Sequence, residues 1–284
     1  MKFYIVIPAH NEQETIGQTL ESLVQQTLLP KKIVIVNDNS TDATAELINS
    51  YAEKFDWIES LHIRSSEEHL PGAKVIDAFY KGFDTLDHNY DIICKFDADI
   101  IFPSHYLETI SALFKENSKI GISGGLPYIQ KGDRWVFENI ASKDHVRGPI
   151  KAYRKACFNA IGGLRRSAGW DSVDVLLAKY YGWKVVTDKD LHVKHLKPTG
   201  SNYHLGSKYL RGEALYKMRM GFVLTSIASL KSAIKKHSFG YFMNSMRGFF
   251  KAKQKKSNFL VDESQGQFIR KHHWQNIYKK LKMS

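Results

Sequence analysis

The sequence predicts an α/β protein with a mostly parallel sheet flanked by helices, followed by a basic, amphipathic helical C-terminal extension. Short apolar runs alternate with helix-like segments along residues 1–196, which is the pattern of βαβ units. The 284 residues, 43% of them hydrophobic, suffice for one large domain with an appendage and exclude wholesale disorder. Basic residues concentrate late, because residues 197–284 hold 18 Lys and Arg against 3 Asp and Glu. We therefore expect an α/β domain over 1–202 and a helical region over 203–284.

The first half of the chain predicts four strands, each followed by a turn and a helix. The strands are expected at FYIVIP (3–8), IVIV (33–36), residues 57–63 and IICKF (92–96). The helices are expected at 12–26, after the turn at 37–42, at 72–86 and at 104–116. Asn11, with Glu14 three residues later, predicts a capping box on the first helix. Ser40 or Thr41 is expected to cap the second helix.

The second half continues the alternation around a glycine-rich middle. IGIS (120–123) predicts a strand, 124–170 an irregular section, 172–181 a helix and WKVV (183–186) a last strand. In open α/β sheets, ligands bind at the carboxyl ends of the strands. The candidate site residues are therefore expected in the turns that follow the strands.

Two aspartates close the predicted fourth strand. Asp97 and Asp99 are two positions apart, so on an extended segment their side chains point to the same side. Paired carboxylates repel each other unless a cation joins them, and Mg²⁺ or Mn²⁺ prefers oxygen ligands. The D-x-D tripeptide predicts a divalent metal site here, with a solvated turn as the alternative.

The first two strand-to-helix turns carry further candidate ligand-binding groups. Asp38 ends the second strand, where its carboxylate is placed to accept a hydrogen bond from a base or ribose; turn or cap chemistry is the alternative. In the first turn, His10 offers a flat ring for stacking and Glu12 a hydrogen-bond acceptor. A simple helix entry is compatible with both roles.

Candidates for proton transfer lie in GWDSVDVLLAKYYGWK, where Asp171 and Asp174 stand at the start of a helix. Either carboxylate serves as a general base if it faces a cleft, whereas charge at a helix N-terminus is the structural alternative. His192 and His195, in LHVKHLKP, are candidate imidazole ligands for the same metal or structural hydrogen-bonding residues.

The C-terminal region combines apolar and basic residues at helical spacing. One apolar stripe comprises Val223, Ile227, Leu230 and Ile234, and a second comprises Phe242, Met246, Phe249 and Phe250. Lys and Arg flank both stripes, which is typical of a helix lying in an anionic membrane interface. Packing of the same stripes on the preceding domain is the alternative.

Composition narrows the function classes further. Two cysteines are too few for a disulfide framework or a cysteine zinc site, and no apolar run reaches the length of a membrane span. We interpret MKFYIVIPAHNE as a first strand and not as a signal peptide, so a cytoplasmic location is expected. A nucleotidyltransferase would carry a glycine-rich basic loop, which residues 6–14 lack. A nucleic-acid-binding tail would not need the wide apolar stripes, so nucleic acid is not an expected partner.

Five stretches together resemble the inverting family 2 glycosyltransferases of the GT-A (Rossmann-like) nucleotide-diphospho-sugar fold. They are VIPAHNEQETIGQTLESLVQQT (6–27), IVIVNDNSTDAT (33–44), GAKVIDAFYKG (72–82), IICKFDADIIFP (92–103) and GWDSVDVLLAKYYGWKVV (169–186). They occur in the family's order and cover most of residues 1–200. Each stretch is modestly specific, and the ordered combination is strongly so.

The resemblance implies roles for individual positions. The nucleotide-binding residues it implies are Pro8, Ala9, His10, Glu12, Asp38, Lys74 and Asp97. Asp97, Asp99 and His195 match the family's metal site, with Asp99 the more direct ligand. Asp171 matches the aspartate of the usual Glu-Asp pair and is the preferred base. Trp170 replaces that glutamate, so Asp174 stays open as the alternative base.

The resemblance also implies a reaction. A sugar moves from a nucleoside diphosphate sugar, of the uridine or guanosine type, to a hydroxyl acceptor with inversion and with the help of Mg²⁺ or Mn²⁺. A polysaccharide or lipid-linked glycan is the expected acceptor, because the basic tail resembles those of members that use lipid-linked acceptors. The expected location is peripheral, at the inner face of the cell membrane.

Overall fold

The computed structural model describes residues 1–65, 72–198 and 208–283. The strands are β1 (Phe3–Ala9), β2 (Lys32–Asp38), β3 (Ile58–Ile63), β4 (Ile92–Phe96), β5 (Ile100–Ile101), β6 (Ile120–Lys131), β7 (Arg134–Phe137), β8 (Ile150–Arg154) and β9 (Lys184–His195). The helices are α1 (Ile16–Val24), α2 (Thr44–Lys54), α3 (Ala73–Phe83), α4 (Tyr106–Glu116), α5 (Lys155–Ala160), α6 (Trp170–Tyr180), α7 (Leu210–Lys217), α8 (Gly221–Lys235), α9 (Phe239–Gln254) and α10 (Glu263–Met283).

The strands form one sheet in the order β3-β2-β1-β4-β8-β6-β9-β5, with β7 paired to β6. Strands β3, β2, β1 and β4 are mutually parallel, as are β6 and β9. Strand β8 runs antiparallel between β4 and β6. The predicted α/β class, with a largely parallel sheet flanked by helices, is confirmed. Parallel β1, β2 and β4 present their carboxyl ends along one edge of the sheet.

The prediction of an irregular section over 124–170 is wrong. Strand β6 continues to Lys131, and β7, β8 and α5 follow within the section. A Cβ on Gly125 would lie 2.1 Å from the Leu191 carbonyl oxygen, and one on Gly124 would lie 2.8 Å from that of Ile150. These glycines therefore permit close approach between neighbouring strands, which is a role glycine also has inside sheets.

The predicted helix caps are also wrong. Helix α1 begins later than expected, with Thr15 at its N-cap position. Asn11 has a left-handed backbone (φ 53°), and its side-chain oxygen accepts a hydrogen bond from the Thr41 amide at 2.8 Å. At α2, Asp42 takes the predicted role of Ser40 or Thr41, because its Oδ1 accepts from the Thr44 amide at 3.0 Å. Asn11 thus joins the loops after β1 and β2.

Hydrophobic clusters cover both faces of the sheet. One of them includes residues of the C-terminal helices, namely Ala214, Leu215, Met218, Leu224 and Ile269, together with residues of α3 and α6. The C-terminal helices therefore share a core with the α/β part of the chain. The predicted boundary between 202 and 203 lies outside the described residues and stays a prediction.

Helix α8 buries one side and exposes an apolar stripe on the other. Val223, Ile227, Leu230 and Ile234 are between 39% and 67% exposed, whereas Ser229 and Ala233 are buried. In α9, Met246 and Phe249 pack inward and Phe250 stays exposed. The two predicted stripes therefore differ in exposure. The first faces outward, and much of the second packs on the protein. Within the described ranges, no helix combines the length with the apolar character that crossing a membrane requires.

Candidate active site

The carboxyl ends of β1, β2 and β4 bring three predicted site loops together. Pro8 and Ala9 end β1, where they pair in parallel register with Val36 and Asn37 of β2. Asp38 ends β2, and Asp97 follows β4. Because β1 lies between β2 and β4, the loops that carry these residues are neighbours.

The first and second loops are tied together around Asp38. The Nδ1 atom of His10 lies 2.6 Å from the backbone oxygen of Asp38. The amide and hydroxyl of Ser65 donate to the two carboxylate oxygens of Asp38 at 3.1 and 2.9 Å. These bonds fix the orientation of a carboxylate at the edge of the sheet, beside the exposed ring of His10.

Glu12 connects the first loop to the segment after β9. Its Oε2 lies 2.7 Å from Lys197 Nζ and accepts a hydrogen bond from Thr15 Oγ1 at 2.6 Å. Burial raises the pKa of Glu12, the bonds from Lys197 and Thr15 act against it, and the negative charge of Asp99 raises it further. Because the charge of Asp99 affects the Glu12 carboxyl group, Glu12 lies near the D-x-D segment. The carboxylate that was predicted to accept from the ligand is thus engaged by Lys197.

Lys74 lies in the first turn of α3, whose N-terminus is at the same edge as the end of β2. Gly72 precedes it in the left-handed conformation (φ 80°). A Cβ on Gly72 would lie 2.9 Å from Ala168 Cα. The start of α3 therefore touches the segment that leads into α6, where Asp171 lies.

The two D-x-D carboxylates have different partners. Asp97 forms an ion pair with Lys95, whose side chain is 2% exposed. Asp99 Oδ2 lies 3.4 Å from His195 Nε2, because β5 pairs with β9 in a register that opposes Ile100 to His195. Thr19 Oγ1 donates to the Ala98 carbonyl oxygen at 2.9 Å and fixes this turn on α1. The structure thus joins Asp99 and His195, and pairs Asp97 with a lysine.

Asp99 and His195 are the residues best placed to hold a divalent ion. Carboxylate oxygen and imidazole nitrogen are both donors that Mn²⁺ accepts, and Mg²⁺ favours the carboxylate. Clusters of three or more His, Cys, Asp or Glu arranged for a metal do not occur in the described part of the chain. Two protein donors nevertheless fit such an ion, since Mg²⁺ is usually held by one or two carboxylates together with substrate phosphates.

His195 has a second carboxylate on its other side. Its Nδ1 lies 3.2 Å from Glu138 Oε2, and Arg147 Nη1 donates to the same oxygen at 3.3 Å. Burial lowers the pKa of His195, but hydrogen bonds to Asp99 and Glu138 outweigh it and raise the pKa to about 9. Sequence reasoning missed Glu138 and Arg147, which stand in a section predicted to be irregular. A charged residue directly after the β7 run RWVF was the available signal.

Asp171 is the accessible one of the two candidate bases. Its side chain is 33% exposed, and its Oδ2 lies 3.9 Å from His145 Nε2. Burial raises the pKa of Asp171, but His145 and the positive charges of Lys151 and Arg147 outweigh burial and lower it to about 2. The carboxylate is therefore ionised at neutral pH, as a group that accepts a proton must be.

Asp174 is sequestered in an internal ion pair. Both of its carboxylate oxygens accept from Lys151 Nζ at 2.7 Å, and the residues are 1% and 0% exposed. Tyr153 donates its hydroxyl hydrogen at 2.5 Å. A carboxylate with these partners and no exposure has no route to an acceptor hydroxyl. Its geometry therefore favours a structural role and leaves Asp171 as the more accessible candidate.

Trp170, which stands where the resemblance implies a glutamate, is almost fully buried. The ammonium groups of Lys95 and Lys151 lie 5.3 and 5.4 Å from its ring. This range supports cation–π attraction. Trp170 therefore bridges the lysine partners of Asp97 and Asp174.

His192, the other candidate imidazole, is exposed and lies away from Asp99. Its ring stacks near Tyr128, with centroids 4.2 Å apart, and its Nε2 lies 3.0 Å from the Lys189 carbonyl oxygen. Of the two histidines in LHVKHLKP, the structure thus brings only His195 to the candidate metal site.

Comparisons with solved structures match this fold. TarS 1-349 of S. aureus in complex with UDP-GlcNAc superposes with a TM-score of 0.59 at 20% identity, covering 78% of this chain and 65% of TarS. The mannosyltransferase PcManGT from Pyrobaculum calidifontis, in complex with GDP-Man and Mn²⁺, gives 0.56 at 14% identity, covering 99% and 82%. The GT-A fold is therefore shown.

Sequence comparisons place the chain among glycosyltransferases. A probable glycosyltransferase of Bacillus subtilis, YdaM, is 38% identical over 101 residues, covering 34% of this chain and 23% of YdaM. Poly-beta-1,6-N-acetyl-D-glucosamine synthase of Staphylococcus aureus is 28% identical over 162 residues, covering 57% of this chain and 34% of the synthase. The chain thus spans about a third or less of these relatives.

The family profile gives the broadest match. The profile of glycosyl transferase family 2 covers residues 4–165, which is more than half of the chain and includes β1 to β8. Asp38, Asp97 and Asp99 all lie inside the matched range. We conclude that this chain belongs to glycosyl transferase family 2.

Proposed function

We propose that the protein is an inverting glycosyltransferase that moves a sugar from a nucleoside diphosphate sugar to a hydroxyl acceptor. The observation that carries the proposal is the meeting of Asp38, the Asp99–His195 pair and the loop after β1 at one edge of the sheet. Two structural neighbours hold UDP-GlcNAc and GDP-Man, which supports a uridine or guanosine donor.

The donor nucleotide would lie over the ends of β1 and β2. His10 offers its exposed ring to the base, and the Asp38 carboxylate, oriented by Ser65, accepts a hydrogen bond from base or ribose. Lys74, at the start of α3, is a cation on the same edge of the sheet. In this arrangement the base would stack on His10, and Asp38 and Lys74 would make the polar and charged contacts to the nucleotide. The diphosphate would then point toward Asp99.

A divalent ion would be held by Asp99 and His195, with Asp97 beside it. When bound, Mg²⁺ or Mn²⁺ supplies positive charge against the diphosphate that leaves the sugar. Asp171 takes the proton from the acceptor hydroxyl as that oxygen attacks the anomeric carbon. The acceptor oxygen attacks the anomeric carbon on the face opposite the leaving diphosphate. The anomeric configuration therefore inverts in one displacement, without a covalent enzyme intermediate.

We place the reaction at the cytoplasmic face of a membrane, with the enzyme bound peripherally. The exposed α8 stripe and the exposed Lys231, Lys235 and Lys236 beside it support this placement. Lys235 Nζ also donates to the Asn139 carbonyl oxygen at 2.7 Å, so the stripe adjoins the segment after β7. That segment carries Glu138, next to His195, and an acceptor held at the membrane would approach from this side.

A cell-surface polysaccharide or a lipid-linked glycan is the acceptor that best suits this placement. The synthase of S. aureus that matches this chain is named for the polysaccharide poly-beta-1,6-N-acetyl-D-glucosamine, and this supports a polysaccharide acceptor.

A thermal-shift screen of nucleoside diphosphates and their sugars, with and without Mn²⁺, tests the donor and metal together. Ligand at 100 times its Kd stabilises the folded state by about 2.7 kcal/mol. We expect one nucleotide series to raise Tm, and to do so more strongly with Mn²⁺. Absence of any shift with uridine and guanosine diphosphates in Mn²⁺ would overturn the proposal. NMR of the product then tests inversion.

A further inference from the structure

We propose that Glu138 is a positioning residue that fixes the His195 ring so that its Nε2 atom faces Asp99. This inference rests on the proposed metal site and concerns a residue outside the D-x-D and histidine segments. The side chain of Glu138 is 3% exposed, and its Oε2 lies 3.2 Å from His195 Nδ1. Asp99 Oδ2 lies 3.4 Å from the other ring nitrogen.

The two ring nitrogens of an imidazole point in diverging directions, so a single ring cannot present both to one ion. Glu138 is on the Nδ1 side and Asp99 on the Nε2 side. Glu138 is therefore separated from the candidate metal position by the ring and acts through His195. A carboxylate that accepts the Nδ1 hydrogen holds the ring in place and leaves Nε2 as the nitrogen that faces an ion bound at Asp99.

Two features of its surroundings hold Glu138 itself. Its backbone amide donates to the Pro127 carbonyl oxygen of β6 at 3.0 Å, and its carbonyl oxygen accepts from the Ile140 amide at 2.8 Å. Arg147, buried as well, donates to the same carboxylate oxygen that meets His195. The ion pair with Arg147 offsets the cost of burying the Glu138 carboxylate and holds it beside the ring.

The contacts of the Glu138 carboxylate suit it to orient the His195 ring and not only to fill space. Asp99 and Glu138 approach opposite sides of one ring, and strand β9 presents that ring from a fixed register with β5 and β6. If Glu138 only filled space, an amide of the same shape would serve equally well. If it positions the ring, loss of its charge weakens Mn²⁺ binding even in variant protein that is fully folded, whatever the loss of the Arg147 ion pair costs in stability.

The test compares Mn²⁺ binding by the full chain and by Glu138→Gln and Glu138→Ala. Mn²⁺ is titrated by electron paramagnetic resonance in excess uridine or guanosine diphosphate, whichever stabilises the protein. Loss of such a carboxylate typically costs 10- to 100-fold in metal affinity, so we expect Kd to rise about 10-fold for the amide and more for alanine. Glu53→Gln, an exposed change in α2, is the matched control and should leave Kd unchanged.

Two further readouts separate positioning from structure. Turnover of Glu138→Gln should recover at saturating Mn²⁺, whereas a purely structural defect would persist at all metal concentrations. With diamagnetic Mg²⁺ bound, the ¹⁵N shifts of the His195 ring should show a hydrogen on Nδ1 in the parent chain and a mixture of ring states in the variant. Equal Mn²⁺ affinity of folded Glu138→Gln and the parent chain would overturn the inference alone. Absence of Mn²⁺ binding by the parent chain would instead overturn the proposed metal site.

Discussion

Replacing Asp171 or Asp174 by asparagine separates the base from the structural carboxylate. Asp174 accepts from Lys151, from Tyr153 and from the Val175 amide at 2.6 Å, and it is fully buried. In Asp174→Asn the Lys151 ammonium stays buried without its counter-charge. Removing one partner of a buried ion pair costs about 3–5 kcal/mol. At roughly 2–4 °C per kcal/mol, Tm should fall by about 6–20 °C.

Asp171→Asn should have the opposite profile. Its side chain is one-third exposed, and its nearest ion-pair partner, His145, is 3.9 Å away. The lost charge in the first turn of α6 costs at most about 1 kcal/mol. Turnover, however, should fall by about 10²- to 10⁴-fold, which is the usual contribution of a general base. Donor binding, measured by thermal shift, should be retained.

The assay pairs initial rates at saturating donor with calorimetric unfolding of each variant. The double variant Asp174→Asn with Lys151→Met removes the unpaired charge and should recover stability relative to Asp174→Asn alone. It should also recover much of the turnover, because Asp171 is intact. The reasoning is refuted if Asp171→Asn keeps full turnover while Asp174→Asn keeps its Tm and loses activity.

Three further outcomes follow from the structure. The double variant Ile227→Gln with Leu230→Gln, on the exposed α8 stripe, should weaken sedimentation with anionic vesicles at least about 10-fold, since burying each side chain is worth about 1.5–3 kcal/mol. Its Tm should stay unchanged. Equal sedimentation of the variant and the parent chain contradicts membrane docking. Burial and the charges of His272 and Lys179 lower the pKa of His273 to about 4, so the unfolded chain binds more protons between about pH 6.5 and 4. Urea unfolding should therefore show stability falling as pH drops through that window, with a smaller slope in His273→Gln. Chelation should abolish turnover and Mn²⁺ should restore it; full activity in chelator excludes the metal.

Local sequence patterns predicted the elements that place the site. The four strands that carry the first loops and the D-x-D turn are confirmed, because buried parallel strands appear as short continuous apolar runs. Asp38 and Asp99 were candidates because open α/β sheets bind ligands at the carboxyl ends of their strands, although turn and cap chemistry was an equally local explanation. The meeting of Asp99 with His195 could not be predicted from spacing. It depends on the pairing of β5 with β9 across almost 100 residues of chain.

The prediction of an irregular section over residues 124–170 was wrong for a different reason. Gly124 and Gly125 look like loop signals, yet they let β6 approach β8 and β9 closely. Once that section is known to be sheet, Lys151 on β8 lies beneath α6 and Glu138 follows β7 beside His195. Each of these contacts is non-local, and a charged residue inside an apolar run gives no indication of its partner.

The acidic residues around the site fall into two classes according to whether their partner is a lysine or a histidine. Asp97 and Asp174 each meet a lysine, whose charge is permanent at neutral pH. Asp99 and Asp171 instead face the imidazoles of His195 and His145. An imidazole nitrogen can act as a hydrogen-bond donor or as a metal ligand, so the group beside these two carboxylates is not restricted to one role. A carboxylate locked to a fixed cation stabilises the fold, and one opposite an imidazole stays free to change partners during a reaction cycle. This difference, and not exposure alone, is why we propose Asp99, which is largely buried, and Asp171, which is not, for the chemistry.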